Sequence, residues 1–180
     1  MIPRNTILKT SRFQLRIPDE TDIDFVFSAS RYSGFNDGMQ WEPPTEKTSI
    51  LGSLGRTLQR WDKGEEYAFT VVDGVENSLQ LGRVSIRRSE GDWSVGFWVH
   101  PEHQRKGVMT EALKAVLAFG FDVLKIDTIS AAYATWNKAS ERVLAKNGFQ
   151  FVRYLAEGFL KKGEWVPENE VQLTVEQWRQ

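Results

Sequence analysis

The sequence predicts a mixed α/β fold in which a central mixed sheet is flanked by helices on both faces, and three observations predict it. Three strand-like runs, Tyr67 to Val72, Leu79 to Ile86 and Trp93 to Val99, are separated by links of turn length, which is the pattern of an antiparallel meander. The period then changes, because Met109, Leu113, Val116, Leu117, Gly120, Phe121 and Leu124 share one face of a helix running from roughly Gly107 to Leu124. A further strand, Thr128 to Ala134, follows, so that strand, helix and strand form a crossover unit.

The elements follow in order. Phe13 to Ile17 alternates as a short first strand, and Pro18-Asp19-Glu20-Thr21 turns into a helix that carries Ile23, Phe25, Val26 and Phe27. Ser33 to Pro44 is rich in Gly and Pro and reads as a long ordered loop with an unusual share of aromatics. Thr45 is placed to cap a second helix with Leu51, Leu54, Leu58 and Trp61 at helical spacing, and Gly64 to stop it. The meander turns are Asp73-Gly74-Val75-Glu76-Asn77 and Ser89-Glu90-Gly91-Asp92. After the crossover, Asn137 caps a helix with Ser140, Val143 and Leu144 near its inner face, and Asn147-Gly148 ends it. Phe149 to Leu160, a Lys161-Lys162-Gly163 turn, Trp165-Val166 and Val171 to Val175 complete an antiparallel hairpin region. The order is β-α-loop-α-β-β-β-α-β-α-β-β, with no repeat or interdomain linker, so residues 1–180 read as one domain.

Bulk properties remove several function classes. With 23 Lys plus Arg against 24 Asp plus Glu, the net charge is -1, which gives no global field for nucleic acid or an anionic membrane. There is no cysteine, so disulfides, thiolate metal sites and cysteine nucleophiles are absent together. Two histidines, His100 and His103, are too few for a histidine-rich metal site, which leaves carboxylate-only magnesium binding as the open alternative, and no metal is expected. Neither a signal-peptide pattern nor 18 consecutive apolar residues occurs, and the expectation is a soluble, cytoplasmic protein with no membrane or nucleic-acid partner.

The segment from Phe97-Trp98-Val99 through His100-Pro101-Glu102-His103 to Gln104-Arg105-Lys106-Gly107-Val108-Met109-Thr110 carries the most chemistry. A strand ends at Val99, a polar turn follows and the long helix begins close to Gly107. The first turn of a helix offers unpaired N–H groups and the positive end of its dipole, so it can hold a diphosphate without a metal. Gly107 lets the backbone approach phosphate oxygens, and Arg105 and Lys106 add local positive charge. On these residues alone the turn reads equally well as a solvated helix start, since neither a Lys-Ser/Thr phosphate loop nor Gly-x-Gly-x-x-Gly is present.

Gln104-Arg105-Lys106-Gly107-Val108-Met109 resembles the pyrophosphate motif of the GNAT N-acetyltransferase superfamily, Gln/Arg-x-x-Gly-x-Gly/Ala at the start of the long helix. Its continuation Thr110-Glu111-Ala112-Leu113 is most similar to the ribosomal-protein alanine N-acetyltransferase branch, RimJ/RimL-like. Met109 departs from the small residue of the general pattern, but a backbone N–H does not depend strongly on its side chain. A second block, Asn137-Lys138-Ala139-Ser140 through Asn147-Gly148-Phe149, is similar to the family's Asn-x-x-Ser…Gly-Phe segment beside the pantetheine and thiol. The likeness extends from Leu15 to about Trp178.

This resemblance implies the acyl-CoA N-acyltransferase fold, acetyl-CoA as co-substrate without a metal, and direct transfer of acetyl to an amine. Such transfer needs a neutral amine, donors facing the developing oxyanion and a proton for the departing thiolate. The resemblance implies that Phe97, Trp98 and Val99 lie along the pantetheine, with Trp98 and Val99 where an N–H meets the thioester carbonyl. It places Gln104, Arg105, Lys106, Gly107, Val108, Met109 and Thr110 at the diphosphate, with Asn137 and Ser140 on the thiol side. Ser140 is the first candidate for the group at the thiolate, its other reading being a serine that hydrogen-bonds the helix start. Tyr133 is a second acid candidate, though a strand tyrosine more often packs. Glu42 is the first base candidate, Asp37 and Glu157 are comparable, and a water chain would serve instead. His100 and His103 read as solvated turn residues.

Phe35, Met39, Trp41, Trp61 and Trp165 are candidates for acceptor-site walls. The branch resemblance implies a peptide N-terminus bound between the helix-loop-helix region and the C-terminal hairpin. A small-molecule amine such as an amino acid derivative, polyamine or aminoglycoside is the alternative, although no acidic cluster in the sequence marks a polyamine or aminoglycoside site. A silent CoA-binding module is the rival from another class. Dimerisation is common in the family, and a homodimer fits the resemblance, although the sequence itself displays no interface.

Overall fold

The computed structural model describes residues 2–74 and 79–180, so Val75, Glu76 and Asn77 of the first meander turn lie outside the described residues. Along the chain run β1 (Ile7–Lys9), β2 (Phe13–Arg16), α1 (Ile23–Ser30), α2 (Lys47–Asp62), β3 (Glu66–Asp73), β4 (Gln80–Ser89), β5 (Asp92–Val99), α3 (Val108–Ala118), β6 (Thr128–Ala134), α4 (Lys138–Lys146), β7 (Gln150–Lys161), β8 (Glu164–Thr174) and a terminal turn, α5 (Val175–Trp178). The eight strands form one sheet in the order β1-β2-β3-β4-β5-β6-β8-β7. Every neighbouring pair is antiparallel except β5 and β6, which α3 joins.

Side chains alternate across a strand, so β3 shows what covers each face. Tyr67 and Phe69 point to the side where the Trp61 ring of α2 and the Phe119 ring meet both of them. Thr70 points the other way and donates to Asp22, at the entry to α1. The first face is the apolar one: α3 buries Val108, Met109, Ala112, Leu113, Val116 and Leu117 there, a stripe with helical spacing. The second face is partly polar and, toward β5, partly open.

The crossover and the meander stand as the periodicity predicts, with β6 at Thr128–Ala134. Several details differ. The first strand is preceded by β1, whose three residues are too short to show a period. Thr45 does not cap α2: the N-cap position is Glu46, without a side-chain hydrogen bond. The helix after Gly107 changes to a π turn at Phe119–Val123. β8 runs unbroken through Pro167, because that residue sits where the β7–β8 register shifts and an N–H is not required. Lys161 is not a turn residue: it ends β7 opposite Glu164 and is buried, leaving Lys162 and Gly163, both with positive φ, as the two-residue turn.

Candidate active site

The parallel pairing of β5 with β6 stops after Ser94 and Ser130. Beyond that row both strands continue to Val99 and Ala134, so the sheet opens. Which backbone groups face the opening follows from register. The His100 N–H donates to Leu81, which fixes the alternation along β4 and β5. Trp98 therefore turns its N–H and C=O toward Arg83 on β4, whereas Phe97 and Val99 turn theirs into the opening. This corrects the expectation for Trp98, whose main chain is used within the sheet. By the same parity, set by the Thr135 N–H donating to Pro167, Ala132 and Ala134 face the opening from β6.

At the outer end of the opening stands the start of α3. Gly107 occupies its N-cap with φ 74°, a left-handed conformation in which a Cβ is disfavoured, and a Cβ there would also lie 3.3 Å from the Arg12 guanidinium. Arg105 is left-handed too, at φ 63°. The first helical bond is Glu111 N–H to Gly107 C=O at 3.3 Å, so the N–H groups of Val108, Met109 and Thr110 have no partner within the helix. A clamp holds this start in place. Arg12 donates to the Lys106 carbonyl at 3.0 Å and pairs with Glu111 at 2.7 Å, while Ser11 donates to Glu111 at 2.8 Å. Burial alone raises the Glu111 carboxyl, but hydrogen bonds from Thr10, Arg12 and Ser11 outweigh it and bring its pKa to about 2. Gly82 is required by the neighbouring strand, since a Cβ there would lie 2.5 Å from the Trp98 carbonyl oxygen, and the Met109 methyl packs beside it.

α4 closes the β6 side. Asn137 caps it, its side-chain oxygen accepting from the Ser140 N–H at 3.1 Å. Ser140 thus spends its backbone on the cap, while its hydroxyl, on the cleft wall, has no hydrogen-bond partner among the described residues. Tyr133 is buried and receives a hydrogen bond from Asn169 at 3.4 Å.

A cleft of about 1180 Å³ joins these parts. Its walls include Phe97, Trp98, Val99, Gln104, Arg105, Gly107, Val108, Met109, Thr110, Tyr133, Asn137 and Ser140, but not Lys106, which contributes its carbonyl to the clamp instead. On the α1 side the wall is the loop from Ser33 to Pro44, through Phe35, Met39 and Trp41. Phe35 meets the edges of Trp98 and Trp41, and Trp98 stacks on Phe25. Buried Lys161 ties this loop to the C-terminal hairpin, donating to the carbonyls of Met39 and Trp41, each at 2.9 Å.

Residues 12–150 match the acetyltransferase (GNAT) domain model. The chain belongs to the GNAT acetyltransferase family. The uncharacterised N-acetyltransferase YnaD of Bacillus subtilis is 32% identical over 178 residues, 95% of this chain and 98% of YnaD. The ribosomal protein uS5-alanine N-acetyltransferase of Escherichia coli is 28% identical over 150 residues, 77% of this chain and 75% of that one. Among solved structures, RimL, a ribosomal L7/L12 alpha-N-protein acetyltransferase in complex with coenzyme A, superposes with a TM-score of 0.85 at 16% identity, covering 96% of this chain and 99% of RimL, a likeness of fold.

The GNAT co-substrate, acetyl-CoA, fits the groups just described. The unpaired edge at Phe97 and Val99 matches an extended chain of amides, and the free N–H groups opening α3, beside Arg105, match a diphosphate. Other expected residues fall elsewhere. Glu42 is exposed, ion-paired with Lys161 at 3.2 Å, and outside the cleft walls, as are exposed Asp37 and Glu157. Trp61 is core, its indole donating to Ile2, and Trp165 is exposed away from the cleft. His100 is not solvated: it is buried against Phe25 and Tyr32, and burial lowers its pKa. His103 lines the cleft and is also lowered, again chiefly by burial. His100, Glu102 and His103 bring ligand-type atoms within 4.8 Å of one another. Within this group His100 Nδ1 accepts from the Glu102 N–H, its Nε2 faces Ser28, and one Glu102 oxygen accepts from Tyr32 at 2.5 Å.

Sequence reasoning missed Glu168. It is buried on the cleft wall with no hydrogen-bond or ion-pair partner among the described residues, and its pKa is raised by burial and then by Glu170. No local signal marks it, because only the pairing of β8 with β6 brings it to the opening.

Proposed function

We propose that this acetyl-CoA-dependent acetyltransferase moves acetyl directly onto a primary amine, and that the acceptor is a protein N-terminal α-amine, as in the RimJ/RimL-like branch. The observation that carries the transfer chemistry is the opening between β5 and β6, where unpaired Phe97 and Val99 groups lead from the α3 start toward the Ser140 side. The acceptor assignment draws support from a cleft walled by a long loop and the C-terminal strands, and from the names of the relatives.

In this reading, Val108, Met109 and Thr110 hold the diphosphate through main-chain donors. Phe97 and Val99 offer N–H groups to the amides and to the thioester oxygen as charge develops there, with little reorganisation. The amine nitrogen bonds to the carbonyl carbon as the carbon–sulfur bond breaks. Ser140, directly or through a water, returns a proton to the thiolate.

A thiol-release screen with N-terminal peptides, free amino acids, polyamines and aminoglycosides tests the assignment. Saturable release with peptides is expected. Preferred turnover of a small amine would replace the peptide reading, and CoA binding without release by any amine would make the chain a silent module. Ser140→Ala is expected to lower kcat about 100-fold with little change in CoA affinity, and unchanged turnover across pH would remove the hydroxyl from the chemistry.

A further inference from the structure

The cleft half that faces α1 carries a charge pattern that acetyl transfer alone does not require. Trp98 marks this face by its stack on Phe25, and Arg83 lies beside it across β4–β5. Arg87 pairs with Ser94, Ser94 with Ser130 and Ser130 with Gln172, so alternation brings Glu170 and Glu168 to the same face. All four charged residues line the cleft.

Their charges are unevenly matched. Arg16 satisfies Asp22 with two hydrogen bonds, at 2.8 and 3.1 Å, leaving Arg83 at 3.8 Å from that carboxylate with its buried Nε unpartnered. The Arg87 guanidinium lies over Gly96 and has no ion pair among the described residues, its cross-strand neighbour Glu66 being paired with Arg60 at 3.4 Å. Across the opening, Glu170 is paired with Arg153 at 2.5 Å, which leaves Glu168 as the unmatched carboxyl. β4 and β8 are three strand spacings apart, about 14 Å where the sheet is closed and more where it splays. A dipolar ligand would satisfy both walls at once.

We propose that the acceptor is an amine whose own molecule carries an acidic group, the amine meeting Glu168 and the acid meeting Arg83 and Arg87. The inference rests on the acetyl-transfer reading above. The entering ammonium gives one proton to the Glu168 carboxylate, and the neutral nitrogen then bonds to the acetyl carbon as the carbon–sulfur bond breaks. A second nitrogen proton is lost as the amide forms, the thiolate gains one, and Glu168 later releases its own to solvent. Burial beside Glu170, which makes Glu168 more basic than an ordinary carboxylate, suits that step. A peptide that begins with acidic residues offers this chemistry, because its side-chain carboxylates stand far enough from the α-amine to reach the opposite wall.

Matched acceptors test this: an amidated Ser-Asp-Glu peptide against amidated Ser-Asn-Gln, each followed by thiol release and by calorimetric binding to the protein–CoA complex. The acidic peptide is expected to win by about tenfold or more in kcat/KM and in affinity, as one charge-assisted hydrogen bond allows. Arg87→Gln, on an exposed side chain, and Arg83→Gln should narrow that gap, and Glu168→Gln should flatten the pH profile of kcat. Equal use of acidic and neutral members, or a gap that survives both arginine changes, overturns the acceptor assignment while leaving acetyl transfer standing. Thiol release by no amine in a broad screen overturns acetyl transfer itself, and this inference with it.

Discussion

The α3 start and the acceptor wall are two ends of one cleft made from different materials. The α3 start offers main-chain N–H groups, set by one left-handed glycine and fixed by the Arg12–Glu111 clamp. The acceptor wall is assembled from side chains of β4, β8 and the Ser33–Pro44 loop, held chiefly by Lys161. In that loop Asn36 is buried with neither side-chain polar atom hydrogen-bonded to protein, an unfavourable arrangement that the α3 start does not share. A backbone site tolerates many side chains but few changes of conformation; a side-chain site behaves the other way round.

The sharpest test of that contrast is Gly107→Val. Acetyl-CoA affinity is expected to fall on the order of 100-fold by calorimetry, while thermal unfolding shows a loss of only about 1–2 kcal/mol for the left-handed position. Equal losses in binding and stability would break the comparison. Lys161→Met should leave acetyl-CoA affinity alone and raise the acceptor KM about tenfold, since two charge-assisted hydrogen bonds to the loop are lost. A change in cofactor binding would show that the two ends are coupled.

Smaller effects sharpen the picture of the clamp. The Glu111 carboxyl sits at about 2 in the folded protein, below its unfolded value, so its contribution is present above that unfolded value and is lost as pH falls from about 4.5 toward 2. Glu111→Gln is expected to lower stability at neutral pH by about 2 kcal/mol, allowing for the half-exposed Arg12, and to remove that acid dependence from chemical denaturation curves. Asn137→Ala should cost about 1 kcal/mol through the lost cap, with Asn137→Asp restoring most of it.

The same contrast decides what could be read before the structure. The meander, the crossover helix and the β6 strand follow from period and turn chemistry, which are local. Gly107 and its neighbours were legible because a helix start is a contiguous stretch of chain. Glu168, Arg83 and Lys161 were not, since strand pairing and a hairpin bring them to the cleft and their own sequence surroundings are ordinary strand. The aromatics divide in the same way: Phe35 and Trp41 line the cleft while Trp61 is core, and helical spacing cannot tell a wall from a core. His100 was misjudged because the Pro101 turn hides its burial under Phe25 of α1 and Tyr32 just beyond that helix, residues remote in sequence.

Ser11 and Arg12 lie 100 and 99 residues before Glu111. Closing so long a loop is entropically slow relative to forming the helix itself. The first turn of α3 is therefore held partly by a hairpin remote in sequence, and its clamp is complete only when that hairpin is docked. A change that loosens the N-terminal hairpin is thus expected to weaken the diphosphate end of the cleft without touching it.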